Sequence, residues 1–320
     1  MARDRVTTLP AADIATRNAA GQALVEAARD NPDIWVLTAD VMHSTGTKPF
    51  AQAYPDRFIN VGIAEQTMVG VAAGLATCGK TPFAATFAFA ASMRACEQVR
   101  SDVAYPNLNV KIYATHSGLA LAKGGTTHHA TEDIGIMRAI ANMTVLVPAD
   151  ARESAKAVTA AAETFGPMYI RLRRGADPVV YRDDFDYQIG RANELRAGND
   201  VTLIGCGRTV AECALAANLL GDEGVEARVL DMHTVKPLDV DAIQRAVEDT
   251  ELVVTVEDHN ILTGLGGAVA EVMAEMATSV RLKRLGLPDI YAGIGPEEGL
   301  LRQHGLTAAG IADTVSSMLA

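Results

Sequence analysis

Short β-branched runs alternate with longer alanine-rich stretches of helical period along this chain, and the alternation starts afresh after a polar interruption. A chain patterned this way buries its apolar runs as parallel strands covered by crossover helices. In the first half the expected strands are 34–38, 58–60, 81–87, 110–114, 144–147 and 168–172. The expected helices are 16–29, 65–77, 93–103 and 151–163, the last announced by the start signal Asp150-Ala-Arg-Glu153. Residues 177–199 are polar and punctuated by Pro and Gly, and read as a connector. Beyond them, strands at 201–204, 226–231, 252–256 and 280–285 alternate with helices at 209–220, 239–248, 266–276 and 307–319. The expected fold class is α/β, with two domains that each hold a mostly parallel sheet flanked by helices. Their bounds are 1–185 and 199–320, joined by a linker at 186–198.

Composition agrees with two buried cores: 320 residues, 49% of them hydrophobic. Lys plus Arg number 28 against 39 Asp plus Glu, a net charge of -11. That balance disfavours duplex nucleic acid and anionic membranes as partners, but a few arginines in a cleft could still hold an anionic metabolite. The charge-free stretch 66–79 is shorter than the roughly 20 apolar residues a membrane span needs. Met1-Ala-Arg-Asp-Arg5 leads on without an apolar signal core, and the four cysteines form no CxxC pair. Both point to a reducing, cytoplasmic setting.

Four clusters in the first half could carry chemistry. In Asn60-Val-Gly62-Ile-Ala-Glu65-Gln66, Glu65 falls where a helix begins, as either a functional carboxylate or a favourable N-terminal charge. Thr86-Phe87-Ala88-Phe89 puts two rings just past a strand, for stacking or for core packing. The segment from His116 to His129 gathers three of the seven histidines on Gly- and Thr-rich loops, at the kind of strand end where such sheets hold ligands. Proton transfer is the reading favoured there; a metal site lacks an obvious completing carboxylate or thiolate. Finally, Arg171-Leu-Arg173-Arg174 is basic in an acidic chain, as a solvated face or an anion clamp.

In this order and spacing, the Asn60–Gln66 block, Thr86-Phe87, the Arg94–Arg100 block, the His116–His128 loop and Asn142–Asp150 resemble transketolase. So do Val201–Gly207, Asp231–Asp239 and Glu257-Asp258-His259 with the Gly264–Gly267 turn, so the resemblance covers nearly the whole chain. The Gly-Asp-Gly motif with its downstream Asn, which holds Mg²⁺ and the diphosphate of thiamine diphosphate in that family, does not occur. The chain therefore resembles the carboxy-terminal half of a split transketolase, a pyrimidine-binding domain plus a C-terminal domain.

The resemblance implies a cofactor, thiamine diphosphate, and a partner chain that supplies its diphosphate site and the Mg²⁺ ligands. It implies a homodimeric core within a heterotetramer and a sugar-phosphate substrate, with no metal ligand in this chain. Glu65, His116 and His128 match the family's catalytic residues; Glu65, Phe87 and Phe89 fall at its aminopyrimidine pocket, although the usual second aromatic position is Ala90 here. Arg17, Ser44 and Arg174 match positions that hold a terminal phosphate, and Lys123-Gly124 stands where the family has an acidic pair. The implied reaction is transfer of a two-carbon ketol unit from a ketose to an aldose. A pyruvate-using enzyme of the same cofactor class and a non-catalytic regulatory subunit are the alternatives.

Overall fold

The computed structural model describes residues 14–181 and 184–320; the amino-terminal Met1–Arg5 stretch lies outside them. The first sheet has seven strands in the order β10-β5-β6-β4-β3-β1-β2 and the second has five, β12-β11-β8-β9-β7. In chain order the first half runs α1 (Thr16–Asp30), β1 (Ile34–Thr38), α2 (Met42–Thr45), α3 (Lys48–Ala53), β2 (Phe58–Asn60), α4 (Glu65–Thr77) and β3 (Thr81–Phe87). A helical run to Ala104 follows, with α5 (Cys96–Gln98) inside it, then β4 (Lys111–Thr115), α6 (Asp133–Ala139), β5 (Thr144–Leu146), α7 (Ala151–Glu163) and β6 (Met168–Arg171). The second half runs β7 (Asn193–Arg196), β8 (Val201–Gly205), α8 (Thr209–Asp222), β9 (Ala227–Asp231), β10 (Thr234–Lys236) and α9 (Val240–Asp249). It ends with β11 (Leu252–Asn260), α10 (Leu265–Glu275), β12 (Arg281–Leu287), α11 (Glu297–Gln303) and α12 (Ala308–Leu319).

Strands β1 to β6 pair parallel throughout, with Leu37 opposite Ala84 and Ala84 opposite Ile112. Both faces of this sheet are covered, so β3 and β4 are buried along nearly their whole length rather than at alternate residues. Helix α7 begins as the sequence signals: the Asp150 carboxylate accepts from Glu153 N at 2.9 Å, and Glu153 Oε2 accepts from Ala149 N at 2.6 Å. Helices α1 and α7 pack together on one face. Gly46 makes the approach of α2 to α1 possible, because a Cβ there would meet Arg17 O at 2.4 Å and its φ is +78°.

Besides the short helices α2, α3, α6 and α11, which the sequence reading did not expect, the structure departs from that reading in three places. The segment 186–198, expected as linker, contains β7, which pairs antiparallel with β9. Strand β10, from the second half, pairs antiparallel with β5 and completes the first sheet. One apolar core accordingly runs through both halves, from Val145 and Val147 to Ile204, Met232 and Leu265. The helix expected at 93–103 is not a regular α-helix. It contains two wide turns, Ala90–Arg94 and Val99–Ala104, with i to i+5 bonds such as Ala95 N to Ala90 O at 3.0 Å. Such turns shift the register of the side chains that follow them, and they recur at functional sites.

Candidate active site

Because β1 to β4 and β6 are parallel, their carboxyl ends open on one edge, and the loops there bring the candidate residues together. Phe87 closes β3 and His116 follows β4; their ring centroids are 4.5 Å apart, edge to face. Phe89 lies 6.2 Å from Phe87 and 5.1 Å from His128, so two phenyl rings bridge the two imidazoles. His116 adopts φ +63°, uncommon for a residue with a Cβ and a mark of a position fixed by its surroundings.

Arg17, in the first turn of α1, donates from Nη1 to His116 Nε2 at 3.2 Å. A guanidinium has no acceptor, so Nε2 carries the lone pair, and Nδ1–H donates to Thr115 Oγ1 at 2.9 Å. Burial, then the charges of Arg17 and Arg174 and the neighbouring His128, push the His116 pKa down to about 3. His116 is thus a neutral imidazole of defined tautomer. Arg174 is exposed, and its charge also lowers the pKa of Arg17, after burial, which marks the two arginines as neighbours. Ser44 is half-buried on α2; no side-chain hydrogen bond among the described residues joins it to Arg17 or Arg174.

Glu65 is the first residue of α4, buried, and paired as well as placed at the helix end. Its Oε1 accepts from Arg94 Nη1 at 2.7 Å, and the Arg94 guanidinium reaches over the Phe89 ring, 5.8 Å from its centroid. Arg94 closes the first wide turn. The sequence places Arg94 in a matching block without giving it a role. Asp40 and Asn60 likewise gain a role only in the fold. Asn60 Nδ2 donates to Asp40 Oδ1, and Asp40 N donates back to Asn60 Oδ1, both at 3.0 Å, which ties the ends of β1 and β2.

Two candidates have other duties. His129 Nε2 donates to the carbonyl of Ala122 at 3.2 Å and is buried, so it shapes the loop. Within the arginine cluster, Arg171 and Arg173 are buried in ion pairs with Asp133, Asp258, Asp177 and Glu297, leaving Arg174, among the described residues, as its free cation at the edge. Lys123 and Gly124 lie exposed in a short 3-10 turn before His128.

The donor set fits the aminopyrimidine end of thiamine diphosphate: a buried carboxyl group whose partner Arg94 reaches over Phe89, Phe87 next to that ring, and Thr86 Oγ1 buried without a partner among the described residues. Among the described residues no group of three or more His, Cys, Asp or Glu is arranged to hold a metal ion.

Residues 12–178 match the pyrimidine-binding domain of transketolase, and residues 190–311 match the transketolase C-terminal domain. The chain is 39% identical over 302 residues to one of the subunits of an apulose-4-phosphate transketolase of Phocaeicola vulgatus, covering 94% of this chain and 96% of that one. It is 41% identical over 285 residues to a 6-deoxy-6-sulfo-D-fructose transketolase subunit of Clostridium sp. strain MSTE9, covering 89% and 88%. Among solved structures it superposes, with a TM-score of 0.89 and 46% identity, on a split-gene transketolase described as an inactive beta4 tetramer, over 96% of this chain and 98% of that one. With both domains matched in order and relatives of the same extent, this chain belongs to the transketolase family, as a subunit of the split-gene kind.

Proposed function

We propose that this chain is the pyrimidine-side subunit of a two-chain transketolase. It would transfer a two-carbon ketol unit from a ketose phosphate to an aldose phosphate, with a second polypeptide supplying the diphosphate and Mg²⁺ site. The observation that carries the reading is the cluster at one sheet edge: Glu65 with Arg94, Phe87 and Phe89 between two imidazoles, and Arg17 with Arg174 beyond them.

Thiamine diphosphate, when bound, supplies the carbon nucleophile that adds to the ketose carbonyl. Glu65 would hold a ring nitrogen of the aminopyrimidine through a shared proton, with Arg94 balancing the charge beside it. Phe87 and Phe89 would line that ring's pocket and keep water from it. His116, neutral with its lone pair on Nε2, accepts from a substrate hydroxyl once Arg17 turns to the phosphate. His128 moves a proton at the oxygen that alternates between carbonyl and alcohol. Arg17 and Arg174 take the terminal phosphate by charge-assisted hydrogen bonds, with the Ser44 hydroxyl beside them. Two relatives are named for sugars that end in a phosphate or a sulfonate, which supports an anion at this end.

The test is reconstitution. The chain is purified alone and with a polypeptide that carries Gly-Asp-Gly and a downstream Asn, then assayed with xylulose 5-phosphate or pyruvate as donor. Two-carbon transfer that requires both chains is the expected result. Turnover of pyruvate instead would reassign the donor, and ketol transfer by this chain alone would overturn the two-chain reading.

A further inference from the structure

The Glu257-Asp258-His259 tripeptide near the end of β11 has no part in the proposed reaction, yet all three side chains are buried. Glu257 accepts from Leu265 N at 2.7 Å and Gly266 N at 2.8 Å, capping α10. His259 Nε2 accepts from Gly135 N at 3.3 Å, at the first turn of α6. Asp258 differs, because both its oxygens reach arginines of the other half. Oδ1 accepts from Arg171 Nη1 at 2.7 Å, and Oδ2 accepts from Arg173 Nη1 at 3.0 Å.

From Arg173 the connections continue to the substrate end of the site. Its Nε donates to Asp177 Oδ1 at 3.1 Å, and Asp177 Oδ2 accepts from the Thr16 hydroxyl at 2.9 Å. Thr16 N donates to Gly175 O at 2.8 Å, so the residues just before Arg17 and just after Arg174 are tied to each other. Arg173 also donates from Nη2 to Glu297 of α11. A second route is steric: a Cβ on Gly118 would fall 1.9 Å from Asp258 Oδ2, so the loop leaving His116 crosses directly over this carboxylate.

We propose that Asp258 and Glu297, both from the C-terminal domain, are positioning residues for the substrate end of the site: through Arg173 they hold Arg17 and Arg174 at a fixed spacing, and through Gly118 Asp258 holds the His116 loop. The physical need is plain. Arg17 and Arg174 repel each other; Arg17 is tied to His116, but among the described residues no side-chain bond holds Arg174 beside it before an anion arrives. Beneath them, Arg171 and Arg173 meet four carboxylates, Asp133, Asp177, Asp258 and Glu297, the last also approached by Arg208 at 4.0 Å. The C-terminal domain thereby acts on the reaction without touching substrate. The inference rests on the reading of Arg17 and Arg174 as an anion clamp.

The test uses the full chain with Asp258→Asn, Glu297→Ala and, as a control, Glu298→Ala. Glu298 sits beside Glu297 in the first turn of α11 and pairs with Arg208, which also comes within 4.0 Å of Glu297; no ion pair among the described residues joins Glu298 to Arg173. The first readout is the titration of His116 by NMR in the chain alone. Removing a carboxylate by charge alone would lower the His116 pKa, so a rise reports that Arg17 and Arg174 have moved away. Asp258→Asn and Glu297→Ala are expected to raise it by about one unit or more, and Glu298→Ala to leave it unchanged. The second readout, in the reconstituted enzyme, is a roughly tenfold higher KM for a phosphorylated acceptor with kcat nearly unchanged. Should Asp258→Asn fail to fold, Glu297→Ala decides, because that side chain is partly exposed. An unmoved His116 titration in folded Glu297→Ala overturns the proposal. If the wild-type enzyme ignores phosphate, the clamp reading fails, and the His116 titration still decides whether the C-terminal domain sets the spacing.

Discussion

Glu153 of α7 and Asp231 at the end of β9 are a fully buried pair of neighbouring carboxyls, one from each half of the chain; Glu153 Oε1 and Asp231 Oδ1 meet no donor among the described residues, which favours a proton shared between them. Burial raises both, Glu153 well above the usual range and Asp231 to about 7, while Tyr181 donates to Asp231 Oδ2 at 2.7 Å. The folded protein therefore keeps a proton that the unfolded chain releases at about pH 4. Stability from this pair is complete below that pH and is lost as pH rises through about 7, by up to ~1.4 kcal/mol per unit. Glu153→Gln mimics the protonated partner, so its denaturation midpoint should fall less than wild type between pH 5 and pH 8. Buried His116 and His233, held to about 3 and 4, act in the opposite sense below pH 6.5 and cancel in the comparison. Parallel pH profiles for the two proteins would rule out the shared proton.

Glu65→Gln should leave the fold nearly untouched, because its partner Arg94 is half exposed and such a pair is worth about 1 kcal/mol or less. Ketol transfer in the reconstituted enzyme should drop by about 10²- to 10⁴-fold, the usual range for a positioned proton-transfer group. Full turnover in this variant would remove Glu65 from the mechanism.

Arg174→Ala should raise the KM for a phosphorylated acceptor about tenfold or more and barely change that for an unphosphorylated analogue. The same variant should raise the His116 pKa, since the Arg174 charge is among the causes that hold it down. Equal kinetic effects on both substrates would make Arg174 structural.

Asp133→Ala should be severe for stability. Asp133 Oδ2 accepts from Arg171 Nε at 2.9 Å and from the Tyr169 hydroxyl at 2.8 Å, all three side chains fully buried. Leaving that guanidinium short of a partner costs about 3–5 kcal/mol, measured as a fall in the denaturation midpoint, with Asp133→Asn recovering part of it. A loss below about 1 kcal/mol, the worth of a single ordinary hydrogen bond, would show that Asp258 alone satisfies Arg171.

The sequence displayed what is local. Strands β1, β3 and β11 and helices α4 and α7 follow from periodicity and capping, and Phe87 and His116 stand out because they sit at strand ends. The fates of the arginines did not show. Arg171 and Arg173 read as a solvated face or an anion clamp until Asp258 and Glu297, 85 to 124 residues away, arrive to bury them. Arg94 reaches Glu65 out of a helix whose wide turns no 3.6-residue period announces. Strand β10 has three residues and follows β9 directly, so nothing local says that it leaves for the other sheet.

That excursion has a consequence for how such a chain can be recombined. A chimera joined before β10 takes the edge strand of the first sheet from one parent and its neighbour β5 from another. A junction after β10 divides the second sheet instead, setting β7, β8 and β9 against β11 and β12 of foreign origin. No single crossover between β6 and β11 hands on both sheets intact, so the two halves are inherited as one unit.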